Sequence, residues 1–327
     1  MMRERSSLET TLAQGATLDD IDTRRLEWFM ARAKDHRGFS LSSTAGIGGV
    51  LDYLNLKERQ HLTNAALLLF GCNPQHFTPS AVVKCSFYHG TEVSASVPSH
   101  QEFGGTLFQQ IDDARDFVLA RLTRAVGPRN RTPSVDVVFE VPPSAVLEII
   151  VNAVAHRDYD APGSIQITVY ADRIEIMNPG RLPDGMKLAD LEKPHTSQPT
   201  NPFLARPLFL AGYMEQLGVG IPRVIEACRS AGLPTPRFEQ RSNQFLVTLW
   251  RDVFTPDRLE ALGLNARQKK AVAWTKETGR IANSPYQDLT GVSRKTAARD
   301  LDDLVQKGVL MRIGERRGIY YVLTTRK

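Results

Sequence analysis

Between Ala145 and Ala155 the chain reads A-V-L-E-I-I-V-N-A-V-A, whose only polar members are Glu148 and Asn152, and His156 follows at the same spacing. Positions four apart stack on one helix face, so these three residues form a single polar stripe on a helix that is apolar elsewhere. Such a helix belongs inside the protein. An unpartnered carboxylate there costs several kcal/mol or is neutralised by a raised pKa, so the stripe demands a counterpart: a wet cleft, a metal ion or a ligand. Polar loops could also supply it, the stripe then holding the segment 181–216 in place.

A chain of 327 residues has room for two or three domains of roughly 100–200 residues each. Cys72, Cys85 and Cys228 are widely spaced without a C-x-x-C pair, so neither a zinc site nor a disulfide framework is indicated. No apolar run reaches the ~18 residues of a membrane span, and the start M-M-R-E-R-S-S leads into no apolar signal segment; a cytoplasmic protein with no membrane partner is expected. The charge divides unevenly. Residues 265–327 carry 14 Lys and Arg against 6 Asp and Glu, whereas residues 1–264 carry 27 against 30. The basic excess thus points to a polyanion partner for the C-terminal part alone.

Along the chain, the first 20 or so residues lack periodicity and are expected to be a poorly ordered arm. Helices are predicted over 23–33, 46–56 and 62–70, a strand over 81–88, and a long amphipathic helix over 107–126 that stops at Gly127-Pro128. A first domain over residues 1–127 follows. Next come a strand over 135–140, Pro142-Pro143, and Ser144 as the cap of the striped helix. Residues 164–170 alternate strictly, and Ile174 to Met177 returns as a second strand that Asn178-Pro179-Gly180 breaks. The Pro- and Asp-rich stretch 181–216 reads as a loop or lid. Gly218-Val219-Gly220 opens an apolar helix over 221–231, a last strand covers 244–250, and Thr255-Pro256-Asp257 is a linker. The second domain is therefore placed at 128–254 and the third at 255–327.

Three segments carry a resemblance. E-I-I-V-N-A-V-A-H-R-D-Y (Glu148 to Tyr159), I-E-I-M-N-P-G-R-L-P (Ile174 to Pro183) and G-V-G-I-P-R-V-I-E-A-C (Gly218 to Cys228) resemble the GHKL-like ATP-binding domain of RecG-like C-terminal and transcriptional regulator proteins. L-T-N-A-A-L-L-L-F-G-C-N-P-Q (Leu62 to Gln75) is similar to the tail of the Schlafen/AlbA-type domain that precedes it in such proteins. The resemblance implies that Asn152 binds Mg²⁺, that Glu148 activates water, that Asn178 reads the adenine amino group with Gly180 allowing close approach, and that Gly218 and Gly220 let backbone amides meet phosphates. The chemistry agrees. One amide oxygen plus waters suits a hard cation, a carboxylate beside it can act as general base, and a helix N-terminus favours anions. Two positions depart from the family pattern: Asn178 stands where Asp is usual, and Thr200 stands where Arg is expected, which weakens the case for hydrolysis more than for binding. No G-x-x-x-x-G-K-[ST] loop occurs, so a helicase motor is not expected. The acidic front of a Schlafen/AlbA-type nuclease domain is missing as well, so the start is expected to be truncated relative to relatives.

Residues 265–323 follow the order of a winged helix. Helices are predicted over 266–276, 284–289 and 294–307, the last capped by Ser293 and burying Ala297, Leu301, Leu304 and Val305. Its first turns hold Arg294, Lys295, Thr296 and Arg299, where a recognition helix enters the major groove. A hairpin over 309–323 carries Arg316 and Arg317 at its tip, placed for phosphate. The fold expected is α+β: a partial α/β domain, a GHKL-like α/β sandwich and a C-terminal winged helix-turn-helix. The function expected is a DNA-binding transcriptional regulator that binds Mg-ATP, works on double-stranded DNA and forms a homodimer. Two alternatives stay open, an ATP hydrolase recruited to DNA and a nucleotide-free adaptor, and so does a winged helix used for protein contacts.

Overall fold

The computed structural model describes residues 7–40, 46–93, 99–126, 137–183, 185–193, 198–215, 218–315 and 318–324. The chain begins with two 3-10 turns (Leu8–Thr10, Leu18–Asp20) and α1 (Thr23–Arg37), where Asp22 accepts the N–H groups of Arg24 and Arg25 and Gly38 closes the helix in a left-handed conformation. Then follow α2 (Gly46–Tyr53), the small hairpin β1 (Lys57–Glu58) and β2 (His61–Leu62), α3 (Asn64–Phe70), α4 (Pro74–Phe77), β3 (Val83–Phe87), β4 (Ser99–Phe103) and α5 (Leu107–Leu119). Every residue of α3 is buried, as the apolar run from Ala65 to Phe70 requires, and Asn64 at its start is hydrogen-bonded. The expectation of an unordered arm is wrong for residues 7–20. Asn64 Nδ2 donates to Leu8 O and Thr11 O at 3.1 and 3.0 Å, and Glu9, 2 % exposed, accepts the N–H groups of Phe203 and Leu204. Buried polar partners hold this segment together with Leu8, Ala13 and Ala16, which pack on the main core.

The middle of the chain supplies β5 (Arg124–Val126), β6 (Val137–Phe139), α6 (Pro143–His156), β7 (Ile165–Val169), β8 (Arg173–Pro179), a 3-10 turn (Leu188–Asp190), α7 (Pro202–Leu210), α8 (Gly220–Ser230), β9 (Arg237–Arg241) and β10 (Gln244–Trp250). The predicted helix over 107–126 ends early, because Arg124–Val126 pairs with Val137–Phe139 instead and the Arg121 carbonyl is taken by the Arg251 guanidinium. Ser144 lies inside α6 and does not cap it; Pro143 occupies the first helical position, where its fixed φ suits the turn. The segment expected to be a loop contains α7, with Pro207 inside it.

One mixed sheet, in the order β4-β3-β7-β8-β10-β9, organises everything up to Trp250. All neighbours are antiparallel except β3 and β7. The strict alternation of β7 and β8 puts Ile165, Ile167, Val169, Ile174, Ile176 and Asn178 on the buried face against the helices. The first expected domain boundary lies in residues 127–136, outside the described ones, and the segments on either side of it share this sheet and one hydrophobic core running from Ala13 to Leu249.

A second core, from Phe254 to Tyr321, belongs to α9 (Pro256–Ala261), α10 (Ala266–Thr278), α11 (Asn283–Thr290), α12 (Arg294–Gln306) and the hairpin β11 (Leu310–Ile313) and β12 (Tyr320–Leu323). Lys276 on α10 fastens the two parts together. Its ammonium, almost fully buried, lies 3.1 Å from Asp252 and 3.6 Å from Asp172 and donates to the Phe254 carbonyl. Among the described residues no helix is long and apolar enough to cross a membrane.

Candidate functional site

The stripe on α6 faces a cleft bounded by the end of β8, the start of β10, the N-terminus of α8, residues 181–183, Met186 and Leu191. Glu148, Asn152, Asn178, Gly180, Gly218 and Gly220 all line it, so the residues singled out from separate sequence segments converge on one cavity of about 130 Å³. The cleft has two ends of different chemistry.

The polar end is built on α6. Asn152 Nδ2 donates to Glu148 Oε1 at 3.2 Å, which leaves the amide oxygen of Asn152 for another partner. Burial pushes the Glu148 carboxyl above the usual carboxylate range; the Asn152 bond and the charge of Arg223 pull it down, and Glu215 pushes it further up. The carboxylate rests directly on the first residue of α8: a Cβ at Gly220 would stand 2.0 Å from Oε1. Gly220 is therefore required for a close approach. Gly218 has φ +61°, the left-handed region that glycine enters freely. One turn along the stripe, His156 Nδ1 meets Thr200 Oγ1 at 3.3 Å, so the threonine found where arginine was expected reaches the stripe itself.

The apolar end lies against the sheet, walled by Ile176, Phe245 and Val247, and Met186 and Leu191 also line the cleft. Its polar feature is Asn178, 5 % exposed, whose Oδ1 has no hydrogen-bond partner. The neighbouring backbone donors are committed elsewhere: Asp158 N–H to Pro179 O at 2.7 Å and Gly180 N–H to Asn243 O at 2.9 Å. Gly180 passes so near the end of α6 that a Cβ would lie 3.0 Å from His156 O. An orphaned buried acceptor costs about 1–3 kcal/mol, which a ligand donor would recover once the side chain turns Oδ1 toward the cleft.

The H-R-D-Y sequence ends α6 structurally. The Arg157 side chain is fully buried, with Nη2 donating to Ser80 Oγ and Gly163 O, and Tyr159 OH donates to Val154 O. Asn201, which sequence reasoning missed, donates to both Ala155 O and Arg157 O and ties the start of α7 to the end of α6. An Asn before a helix-opening Pro was its only signal. Arg181, at the cleft mouth and hydrogen-bonded to Asn243, was also missed. Among the described residues no group of three His, Cys, Asp or Glu converges as a metal site, so a cation here would be held by Asn152 together with the ligand and water.

On the C-terminal module, Ser293 Oγ accepts the Thr296 N–H and opens α12. Arg294, Lys295 and Arg299 are exposed on its first turns, while Thr296 is half-buried with its hydroxyl 3.1 Å from Ser293 Oγ. Asp300, next along, turns inward and is held by Tyr286 OH and Arg267. The outer face of these turns is thus basic. Arg316 and Arg317 lie outside the described residues.

Comparisons with known proteins divide along the same lines. Residues 163–249 match the family described as "Putative ATP-dependent DNA helicase recG C-terminal", a stretch that contains Asn178, Gly180, Gly218 and Gly220 but begins after Glu148 and Asn152. Residues 265–324 match the family described as "Transcriptional regulator DIP2311-like, C-terminal domain". The crystal structure of the DIP2311 protein from Corynebacterium diphtheriae is similar in fold over 97% of this chain and 64% of its own, at 18% identity and a TM-score of 0.56. No curated protein matches.

Proposed function

We propose that the α6–β8 cleft binds a purine nucleotide with Mg²⁺ and that the C-terminal module is a winged helix that holds double-stranded DNA, making the protein a nucleotide-binding transcriptional regulator. The observation that carries the nucleotide reading is the buried, partnerless Oδ1 of Asn178 at the apolar end of a cleft whose other end presents Asn152 and Glu148. A flat ring with a polar edge suits the first end. A hydrated cation and phosphates suit the second, where the amide oxygen of Asn152 would serve as the protein ligand and Mg²⁺ would neutralise phosphate charge. Arg294, Lys295 and Arg299 would face the duplex, with Thr296 among them. A homodimer belongs to this reading because one such module makes a small interface.

Hydrolysis is a second reading, favoured by one observation: the Glu148 carboxyl is pushed up by burial, which makes its ionised form a stronger base. Calorimetric titration of the full chain with ATP and Mg²⁺ tests the first reading, and Asn152→Ala should weaken binding. If the parent gives no heat at millimolar nucleotide and no thermal shift, the nucleotide reading is wrong. Glu148→Gln separates the second: affinity should stay within a few-fold while any turnover falls by about 10². DNA binding is tested by anisotropy at two salt concentrations, where a dimer making about 8 phosphate contacts gives a log–log slope near −7.

A further inference from the structure

The ring end of the cleft rests on an amide, not a carboxylate. A carboxylate can only accept, so at this position it would select a ring edge that offers an amino group and repel one that offers a carbonyl. An amide has a donor side and an acceptor side, and half a turn about its last torsion exchanges them. In Asn178 the Oδ1 is buried with no partner, while Nδ2 lies on the side of Gly180 and the Asp158 N–H, and the backbone N–H groups there are already bonded to Pro179 O and Asn243 O. Among the described residues no hydrogen bond to Oδ1 fixes which way the amide points. The walls that would meet the ring faces, Ile176, Phe245 and Val247, are apolar and carry no information about its edge.

Taking the cleft as a purine-nucleotide site, as proposed above, we infer that Asn178 reads position 6 of the base in either sense, so that the site takes 6-oxopurine as well as 6-aminopurine nucleotides. Adenine offers a donor at N6 and an acceptor at N1; hypoxanthine offers an acceptor at O6 and a donor at N1. The second pattern is the inverse of the first, and the turned amide is its own inverse. Oδ1 accepts from the 6-amino group in one orientation, and Nδ2 donates to the 6-oxo group in the other. Inosine triphosphate is the sharpest probe because it differs from ATP at this edge alone, without the 2-amino group of guanine.

The test is calorimetric titration of the full chain with Mg-ATP and Mg-ITP, repeated on Asn178→Asp. In the parent the two dissociation constants should agree within about fivefold. Asn178→Asp should keep ATP binding within a few-fold and weaken ITP by about tenfold or more, since the carboxylate that accepts from a 6-amino group faces the 6-oxo oxygen instead and only N1–H is left to pair with it. A parent that binds ATP but rejects ITP by fiftyfold or more overturns the inference and leaves the nucleotide reading standing. Silence with both nucleotides overturns the nucleotide reading and the inference with it. The parent comparison decides even if the Asp variant fails to fold, and a folded variant that loses both ligands equally also refutes a base-reading role.

Discussion

The contact between Glu148 and Gly220 joins α6 to α8 and makes a prediction that is independent of any ligand. A Cβ on residue 220 would stand 2.0 Å from Glu148 Oε1 and 2.9 Å from Cδ. Ordinary contact is about 3.5 Å, so in Gly220→Ala the oxygen must retreat by about 1.5 Å. That retreat breaks the 3.2 Å hydrogen bond from Asn152. Loss of a bond to a charged group costs about 1.5–3 kcal/mol, and the lower end applies because 3.2 Å is long for a charge-assisted bond. Alanine favours a helix interior over glycine by about 0.5–1 kcal/mol, and at the first position of α8 the gain is about 0.5 kcal/mol. Gly220→Ala should therefore destabilise the parent by about 1 kcal/mol, yet stabilise a Glu148→Ala background by about 0.5 kcal/mol, because there the clash and the bond are both absent. The coupling in this double-mutant cycle should be about 1.5 kcal/mol, read from the four unfolding curves. Additivity within about 0.5 kcal/mol would refute the packing of the carboxylate against α8.

Three further outcomes are expected. Mg-ATP at about 100 times its dissociation constant should stabilise the protein by about 2.7 kcal/mol, a rise of several degrees in a thermal scan, and Asn152→Ala should remove most of it. Glu9, pushed up to about 7 by burial, binds its proton in the folded state where the unfolded chain has released it, so its contribution to stability should fall as pH rises from about 4.5 to 7. Burial acts on Glu148 in the same direction, so Glu9→Gln should flatten part of this decline in melts taken between pH 5 and 8, and an unchanged profile would exclude Glu9 as its source. Lys276→Met should cost about 2 kcal/mol, less than the ~3–5 of a fully buried pair because Asp252 is partly exposed and Asp172 keeps Arg173, and should split a calorimetric trace into separate transitions for the two cores.

Strong local periodicity made the middle and the end of the chain legible. The α6 stripe, the alternation of β7 and the run Gln244–Trp250 each have one burial pattern, and the structure keeps it. The helices of the C-terminal module were readable for the same reason, with Ser293 as a cap, while the Asn265 cap was missed. The edge strands were not. β4 and β9 read S-H-Q-E-F and R-F-E-Q-R, polar on both faces, and only pairing with β3 and β10 makes them strands. α7 was hidden by Pro207, which signals a break in isolation but is tolerated in a helix anchored by Asn201 and capped from Glu9. At the site, the convergence of the three segments was legible from their order. That Gly220 cradles a carboxylate was not, since it depends on how α6 and α8 cross and not on the G-V-G spacing.

The cleft and the fastening point of the C-terminal module are the two ends of one ladder. β8 pairs with β10 from Asn178 opposite Phe245, at the cleft, to Arg173 opposite Trp250, beside the aspartates that hold Lys276. Five residue steps at about 3.3 Å separate these ends, roughly 17 Å of doubly bonded central strand, which moves as a body and does not shorten or bend cheaply. A ligand at Asn178 can thus tilt the module but cannot loosen it by this route. Residues 185–193 give a second connection: Met186 and Leu191 face the cleft, while Leu188 and Glu192 border a separate cavity shared with Thr255 and Asp257, where the C-terminal module begins. This segment has only a single 3-10 turn and no ladder, so its internal bonds resist displacement far less than the strands do. Of the two connections the short segment is the compliant one. If the proposed nucleotide packs against Met186 and Leu191, it would act on the linker first, with β8 and β10 fixing the frame against which that movement is measured.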